Sequence, residues 1–266
     1  MAKLQSRGPL DPGPADAAAG AAARTRRWPR GLPSAAFLLV CAAAVLLVGV
    51  AVGTFLVKVA PHDALGRDDA GVSRWFAAHR TPTGVNVTHW ITDLAQTPTI
   101  VVLALLTVLV TALVWRRWRE PMLVASAVTG EVLLFLAITL LVHRARPPVS
   151  HLDPAPPTSS FPSGHTAAAV AMYGSLALLA FERARAALIR GLFLLLAVVI
   201  PVAVALARVY RGMHWLSDVL GGALLGGVWL WAALRGVRLG VLHSAVRAEP
   251  GGRVAAARRR WVARHG

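Results

Sequence analysis

The sequence predicts an all-α protein, a bundle of six transmembrane helices. Three observations support this fold class. Hydrophobic residues make up 56% of the 266 residues, and the mean hydropathy of +0.58 is higher than that of an ordinary water-soluble domain. The apolar residues are concentrated in six runs, most of them long enough to cross a bilayer. The basic residues, which give a formal net charge of +16, lie mainly between and beyond these runs.

The first apolar run covers residues 35–57 and follows a tail, residues 1–33, that is rich in Ala, Gly, Pro and Arg. The tail has no hydrophobic period and is predicted to be disordered and basic. The run is longer than a signal-peptide core, and Lys58 stands where a cleavage site would need a small residue. We therefore predict a retained first helix. Cys41, the only cysteine, excludes an intrachain disulfide and a cysteine-based metal site.

Five further apolar runs complete the predicted bundle. They cover residues 100–115, 121–142, 164–181, 187–207 and 215–234. The first of these five is short and needs its flanks to span the bilayer. Residues 58–97 are mixed in character. There the Asp68–Asp69 pair and Gly71 predict interrupted structure, and residues 72–79 predict a short amphipathic segment at the water–lipid interface.

The arginines predict the orientation of the bundle. With six spans, both termini and the second and fourth loops lie on one side of the membrane. That side carries most of the arginines and is therefore predicted to be cytoplasmic. This gives a membrane domain over residues 34–236 and a basic cytoplasmic tail over residues 237–266. Because the basic residues do not form one aromatic-studded surface, no nucleic-acid partner is predicted. Membrane lipids are the expected surroundings, and the oligomeric state stays open.

On the opposite, outer side, the first loop balances its basic residues with Asp63, Asp68, Asp69 and Asp93, but four further arginines there are clustered. Arg144 and Arg146 follow the third run, and Arg208 and Arg211 follow the fifth. Arginines placed against the orientation signal predict an anion site at the outer helix ends.

The stretch 207–218 adds titratable groups to that site. A helix beginning near Gly212 would place His214 and Asp218 one turn apart on the same face. A carboxylate in that position can fix the tautomer of an imidazole that acts as nucleophile or general base. Arg208 could then hold an anion in front of the free ring nitrogen. Alternatively, the same residues form a helix end with an arginine cap, an interfacial histidine and a bundle-facing carboxylate.

Two other segments fall at the same predicted helix ends. Residues 143–148 carry Arg144 and Arg146 and end in prolines that terminate the third helix. Residues 160–165 enter the fourth helix, where Ser163 can act as the N-cap and the backbone N–H groups can face an anion.

These three segments resemble the type 2 phosphatidic acid phosphatase superfamily. Its signature is Lys-x6-Arg-Pro, then Pro-Ser-Gly-His, then Ser-Arg-x5-His-x3-Asp. The chain has Arg146-Pro147, then Pro162-Ser163-Gly164-His165, then Arg208, His214 and Asp218 at the family spacing. The resemblance covers roughly residues 35–235 and implies an active site at the outer helix ends.

Two positions depart from that signature. Thr139 stands where the family has its lysine, and Ala207 stands where it has serine. The lysine contacts phosphate oxygens in the family, so its loss puts catalytic strength or substrate range in question. Arg144 could supply the missing charge, or Thr139 could simply pack within its helix.

The resemblance also implies a role for each residue. His214 attacks phosphorus and forms a phosphohistidine, Asp218 orients His214, and His165 protonates the leaving oxygen. Arg146, Arg208, Ser163 and Gly164, with Arg144 as an additional candidate, hold the phosphoryl oxygens. No metal and no cofactor are expected, because arginines and amides can stabilise the phosphoryl charge themselves.

The predicted function is an integral membrane lipid-phosphate phosphatase. Its substrate would be a long-chain phosphate or diphosphate: phosphatidate, phosphatidylglycerol phosphate or, as the favoured choice, a polyprenyl diphosphate such as undecaprenyl diphosphate. Two alternatives stay open. One is a phosphotransferase that uses the same phosphohistidine, and the other is a non-catalytic lipid-binding or transport protein on the same frame.

Overall fold

The computed structural model describes residues 32–59 and 63–248, with side chains over residues 34–59 and 63–240. Most of the predicted N-terminal tail and residues 249–266 lie outside the described residues. The described ranges contain helices and no strand. The helices are α1 (Leu32–Lys58), α2 (Ala64–Ala78), α3 (Pro82–Asp93), α4 (Thr97–Trp115), α5 (Arg119–Leu141), α6 (Gly164–Arg183), α7 (Ala187–Tyr210) and α8 (Leu216–Ala248).

Six stretches of the described chain are long and apolar enough to cross a membrane. They are Ser34–Lys58, Pro82–Trp115, Arg119–Leu141, Gly164–Arg183, Ala187–Tyr210 and Leu216–Gly240. The predicted all-α bundle with six spans is therefore confirmed. The predicted short second span, residues 100–115, is extended at its start because α3 and α4 together form one apolar stretch.

Helix α2 contradicts the predicted interruption between the first two spans. The Asp68–Asp69 pair and Gly71 lie inside this helix, so that prediction was wrong. The position of Gly71 is open, because nothing lies within 4 Å of where its Cβ would be. Asp69 is buried and accepts hydrogen bonds from Arg144 and Ser217. These tertiary contacts outweigh the weak helix propensity of Asp and Gly.

Helix α3 was not predicted. It begins with Pro82 in its first turn, and Thr81 precedes it as N-cap, with Oγ1 accepting a hydrogen bond from the Gly84 N–H at 3.0 Å. Proline has no N–H group that would be left without a partner at the first helical position, and the threonine side chain satisfies one of the free N–H groups of the first turn. Together the two residues favour the start of a helix.

Helix α8 begins later and ends later than predicted. It starts at Leu216 rather than near Gly212, because Gly212 has a positive φ of 75° and forms the turn after α7. His214 therefore lies in the connecting turn, not one helical turn before Asp218. At its other end, α8 continues past residue 236 to Ala248.

The core lies where α8 packs against α1, α5 and α6. One cluster of buried apolar side chains includes Ile138, Phe161 and Trp229, and a second includes Val124 and Met172. A close approach between α6 and α8 depends on Gly222, whose Cβ would collide with the backbone oxygen of Ser163. This contact fixes the start of α6 against the first turns of α8.

Candidate active site

Three segments that are far apart in sequence are joined by backbone hydrogen bonds at one end of the bundle. Ser160 N–H donates to the Arg144 carbonyl at 2.9 Å, and Ser163 N–H donates to the Asp218 carbonyl at 3.0 Å. The Trp215 indole N–H donates to the Ala145 carbonyl at 2.8 Å. The three segments singled out in the sequence therefore form one structural unit.

His214 is buried in this unit with one ring nitrogen held by a backbone carbonyl. Its Nδ1 lies 2.8 Å from the Ser160 oxygen and 3.7 Å from Asp218 Oδ2. A carbonyl oxygen only accepts hydrogen bonds, so Nδ1 carries the proton and donates it to Ser160. This tautomer leaves the lone pair on Nε2 free. Sequence reasoning assigned the orienting contact to Asp218 and missed Ser160.

The electrostatic surroundings keep the His214 imidazole neutral. Burial lowers the pKa of His214 below its ordinary value of 6.5, and the carboxylate of Asp218 opposes this effect only in part. Arg208 and Arg146 lower the pKa of His214 further, because their positive charges disfavour an imidazolium. A neutral imidazole is the form that can act as a nucleophile.

Asp218 is fully buried in the first turn of α8, with both carboxylate oxygens engaged. Oδ2 accepts a hydrogen bond from the Trp215 N–H at 3.0 Å and faces His214. Oδ1 accepts a charge-assisted hydrogen bond from Arg144 Nη1 at 2.5 Å. The carboxylate therefore ties together the turn that carries His214 and the segment after α5.

Arg146 and Arg208 each keep a buried donor without a partner in the described part of the chain. Arg146 Nη1 donates to the Met213 carbonyl at 2.6 Å, and Arg208 Nη1 donates to Asp153 Oδ2 at 2.9 Å. In both residues Nε–H is buried and unpaired. Arg80 and Arg183 also keep one such donor each, but Arg146 and Arg208 are the two that act electrostatically on His214, and an anion beside His214 could satisfy them.

The other two arginines of this cluster, Arg144 and Arg211, have no buried donor without a partner among the described residues. Arg144 binds the carboxylates of Asp69 and Asp218, rather than presenting its fork to open space. Arg211 donates to both carboxylate oxygens of Asp153. Burial works to raise the pKa of Asp153, but the hydrogen bonds and charges of Arg211 and Arg208 outweigh it and hold the pKa below its usual range.

The start of α6 brings His165 to the same place. The ring of His165 interacts electrostatically with Arg208, His214 and Arg146. Ser163 occupies the predicted N-cap position, but its hydroxyl caps no backbone N–H and lies 3.1 Å from the hydroxyl of Thr166. Gly164 permits close packing here, because a Cβ at this position would lie 2.9 Å from the ring of Phe135.

Thr139 does not reach toward the site as the family lysine would. It is buried in α5, and its hydroxyl donates to the Phe135 carbonyl at 2.7 Å, one turn earlier. Packing within the helix therefore accounts for this residue. The charge of Arg144, meanwhile, is taken up by its two carboxylate partners.

Residues 120–239 match the family model of the PAP2 superfamily. By this match the chain is identified with the PAP2 superfamily over 120 of its 266 residues. The match includes all three segments of the site, and it confirms the resemblance found in the sequence. No curated protein sequence matches the chain.

A solved structure shares the fold. It is the crystal structure described as the first transmembrane PAP2 type phosphatidylglycerolphosphate phosphatase from Bacillus subtilis. The two chains superpose with a TM-score of 0.63 at 24% sequence identity, over 72% of this chain and 93% of the other. With its six apolar stretches, this PAP2 protein is a multi-pass membrane protein of a phosphatase superfamily.

Proposed function

We propose that this PAP2 protein hydrolyses a long-chain phosphate or diphosphate at the membrane through a phosphohistidine on His214. The observation that carries the proposal is the pair of unpaired, buried Nε donors of Arg146 and Arg208 around the neutral His214 imidazole. A phosphoryl group supplies the acceptor oxygens that these donors lack, and it supplies the electrophile that the imidazole can attack.

Each proposed step is assigned to a residue of this chain. Nε2 of His214 attacks phosphorus while the bond to the leaving oxygen breaks. His165, which takes up a proton when the phosphoryl anion binds beside it, donates that proton to the leaving oxygen. The arginines and the backbone N–H groups at the start of α6 stabilise the charge on the equatorial oxygens. A water molecule, deprotonated by His165, then breaks the P–N bond and releases phosphate.

We propose that the reaction needs no metal ion. In the described part of the chain, no group of three or more His, Cys, Asp or Glu side chains is arranged to hold one. The cations beside His214 are Arg146 and Arg208, and guanidinium groups bind phosphoryl oxygens directly.

An apolar cavity supports a substrate with a hydrocarbon chain. The cavity has a volume of about 260 Å³ and lies between α1, α5 and α8. Phe161 and Pro162, the residues directly before Ser163, form part of its wall, and Val48 and Leu224 line it farther along α1 and α8. A chain in this cavity would lie within the bilayer while its phosphate lies at the helix ends.

Three classes of long-chain substrate fit this arrangement. Phosphatidylglycerol phosphate is favoured by the described activity of the Bacillus subtilis protein with the same fold. Polyprenyl diphosphate and phosphatidate present the same combination of chain and phosphoryl group.

The proposed site faces the outside of the cell, with both termini in the cytoplasm. The support is the arginine distribution. The loops after α4 and α6 carry Arg116, Arg117 and Arg185 at the bundle end opposite His214, as the positive-inside rule requires.

Purified full-length protein in detergent, assayed with a panel of lipid phosphates, tests the proposal. We expect phosphate release without an added acceptor and in the presence of a chelator. His214→Ala should lower turnover by at least about 10³-fold, because the covalent route is lost. In intact cells, a water-soluble phosphate ester added outside should be hydrolysed without permeabilisation.

Three results would contradict parts of the proposal. Full activity in His214→Ala would exclude the phosphohistidine. Turnover only with a lipid or sugar acceptor would identify a transferase, and binding of lipid phosphates without turnover would identify a non-catalytic protein.

A further inference from the structure

A buried ionic network lies behind Asp218, on the side away from His214. Arg144 is at its centre: Nη1 donates to Asp218 Oδ1 at 2.5 Å and Nη2 donates to Asp69 Oδ2 at 2.8 Å. The side chains of Arg144, Asp69 and Asp218 are 8%, 3% and 0% exposed. Charges so deeply buried are costly unless their geometry is good, and this network pairs both carboxylates.

Ser217 is hydrogen-bonded to both Asp69 and Arg144. Its backbone N–H donates to Asp69 Oδ1 at 3.0 Å, and its hydroxyl donates to Asp69 Oδ2. The same hydroxyl accepts a hydrogen bond from Arg144 Nη1 at 2.7 Å. Asp69 therefore binds the first turn of α8 directly, and also binds the arginine that holds Asp218.

The network also sets the charge behind His214. Arg144, Asp69 and Asp218 together carry one net negative charge when all three are ionised. Without Asp69, Arg144 would neutralise Asp218 alone, and less negative charge would face His214. Because Arg144, Asp69 and Asp218 are all buried, the charges of Arg144 and Asp69 act on Asp218 with little solvent screening, and through Asp218 on His214.

We propose that Asp69 and Arg144 are positioning residues: they orient Asp218 against the turn that carries His214 and tune the charge that His214 experiences. Helix α2, which is not one of the six spans, thereby becomes part of the working site. The role in catalysis rests on the function proposed above. Nothing in the three sequence segments points to Asp69, which lies well before them.

The charged and titratable groups around His214 come from four places. They are Asp218 on α8, Arg208 on α7, Arg146 after α5 and His165 on α6. Asp69 and Arg144 act behind Asp218, so changing either of them removes none of these four groups. A shift in the His214 titration of an Asp69 or Arg144 variant can therefore be attributed to the changed residue.

The test uses full-length protein in detergent with Asp69→Asn, Arg144→Gln, the double variant, and Asp68→Asn as the matched control. Asp68 is the neighbouring carboxylate on α2, and it is exposed. Two readouts are taken: kcat and KM for a soluble phosphate ester, and the NMR titration of ¹³C-labelled His214. The His214 signal is assigned from its loss in His214→Gln.

We expect opposite effects of the two charge changes. Removing a negative charge in Asp69→Asn should move the His214 titration to lower pH, and removing a positive charge in Arg144→Gln should move it to higher pH. The double variant should return toward the wild type. Each single variant should lose roughly tenfold or more in kcat with a smaller change in KM, because the nucleophile is misplaced. Asp68→Asn should match the wild type.

A titration that does not move in folded Asp69→Asn, or that moves the same way in both single variants, would overturn the proposal. If a charge variant fails to fold, Arg144→Lys is the deciding variant. Lysine keeps the positive charge but cannot donate to both carboxylates as the planar guanidinium does. An unchanged kcat in Arg144→Lys would also overturn the proposal. If the wild type hydrolyses no phosphate, the proposed function fails, while the titration still tests the positioning role.

Discussion

At the scale of the residue, the four outer arginines have different roles although they give the same sequence signal. Arg144, Arg208 and Arg211 are bound by carboxylates. Arg146 and Arg208 each keep a buried Nε–H without a partner among the described residues. A guanidinium has five donors in a fixed fork, so the donors left over after protein contacts determine where an anion can bind.

We expect Arg146→Gln to weaken binding of inorganic phosphate by about 1.5–3 kcal/mol, which is more than a tenfold loss of affinity. The variant loses a charge-assisted hydrogen bond to the anion. Isothermal titration calorimetry in detergent measures the change. Arg74→Gln, a change of an exposed arginine on α2, serves as the control. Equal affinities in the two variants would remove Arg146 from the anion site.

The site residues that could be predicted from the sequence are those whose side chains belong to a recognisable motif. His165, His214, Asp218, Arg146 and Arg208 were found because their residue types and spacing form a pattern. The Ser160 carbonyl that holds His214 could not be found in this way, because every residue has a carbonyl and only the folded chain decides which one is near.

At the scale of the element, the apolar runs predicted the positions of the six spans well and those of helices α2 and α3 poorly. A spanning helix can be predicted from its length and hydropathy alone. Helices α2 and α3 are short and mixed in character, so their stability depends on contacts with distant residues. Asp69 in α2 is an example, since it pairs with Arg144 and Ser217. The prediction of a break at Asp68–Asp69 was wrong because local helix propensity takes no account of contacts with distant residues.

The contact between α6 and α8 leads to a prediction about stability. Gly222→Ala should destabilise the protein by about 1–3 kcal/mol, because the added Cβ collides with the Ser163 backbone. The displaced segment should also lower phosphatase activity. Thermal unfolding in detergent measures the first effect and phosphate release the second.

Gly191→Ala is the matched control for that change. Gly191 lies in α7 with nothing within 4 Å of its Cβ position. Alanine there should be neutral or stabilise the helix by up to about 1 kcal/mol. Equal melting temperatures for the Gly222 variant and the wild type would show that the bundle relaxes around the added methyl group.

At the scale of the whole molecule, the bundle places a polar site at the helix ends and an apolar cavity beneath it. The six-span architecture was predictable because each apolar run has to be buried in lipid or protein. The cavity was not predictable, since it depends on how three helices that are distant in sequence are tilted and packed. Its lining includes Ala44 on α1 and Val228 on α8.

Filling this cavity should change the preference for chain length. We expect Ala44→Trp to reduce hydrolysis of long-chain phosphates by about tenfold or more relative to a short, water-soluble ester, because the hydrocarbon chain loses its binding volume. Ala43→Trp, a change at the exposed neighbour outside the cavity, should leave that ratio unchanged. A proportional loss on both substrates in Ala44→Trp would mean that the chain binds elsewhere.

The bond between Asp69 and Ser217 joins positions 148 residues apart. During synthesis α2 emerges long before α8, so Asp69 cannot bind Ser217 until nearly the whole bundle has been inserted. The ionic contacts that close this end of the protein are therefore among the last to form. A chain that stops short of its final span lacks Ser217 and Asp218, so it cannot form the contacts that join α2 and the segment after α5 to α8.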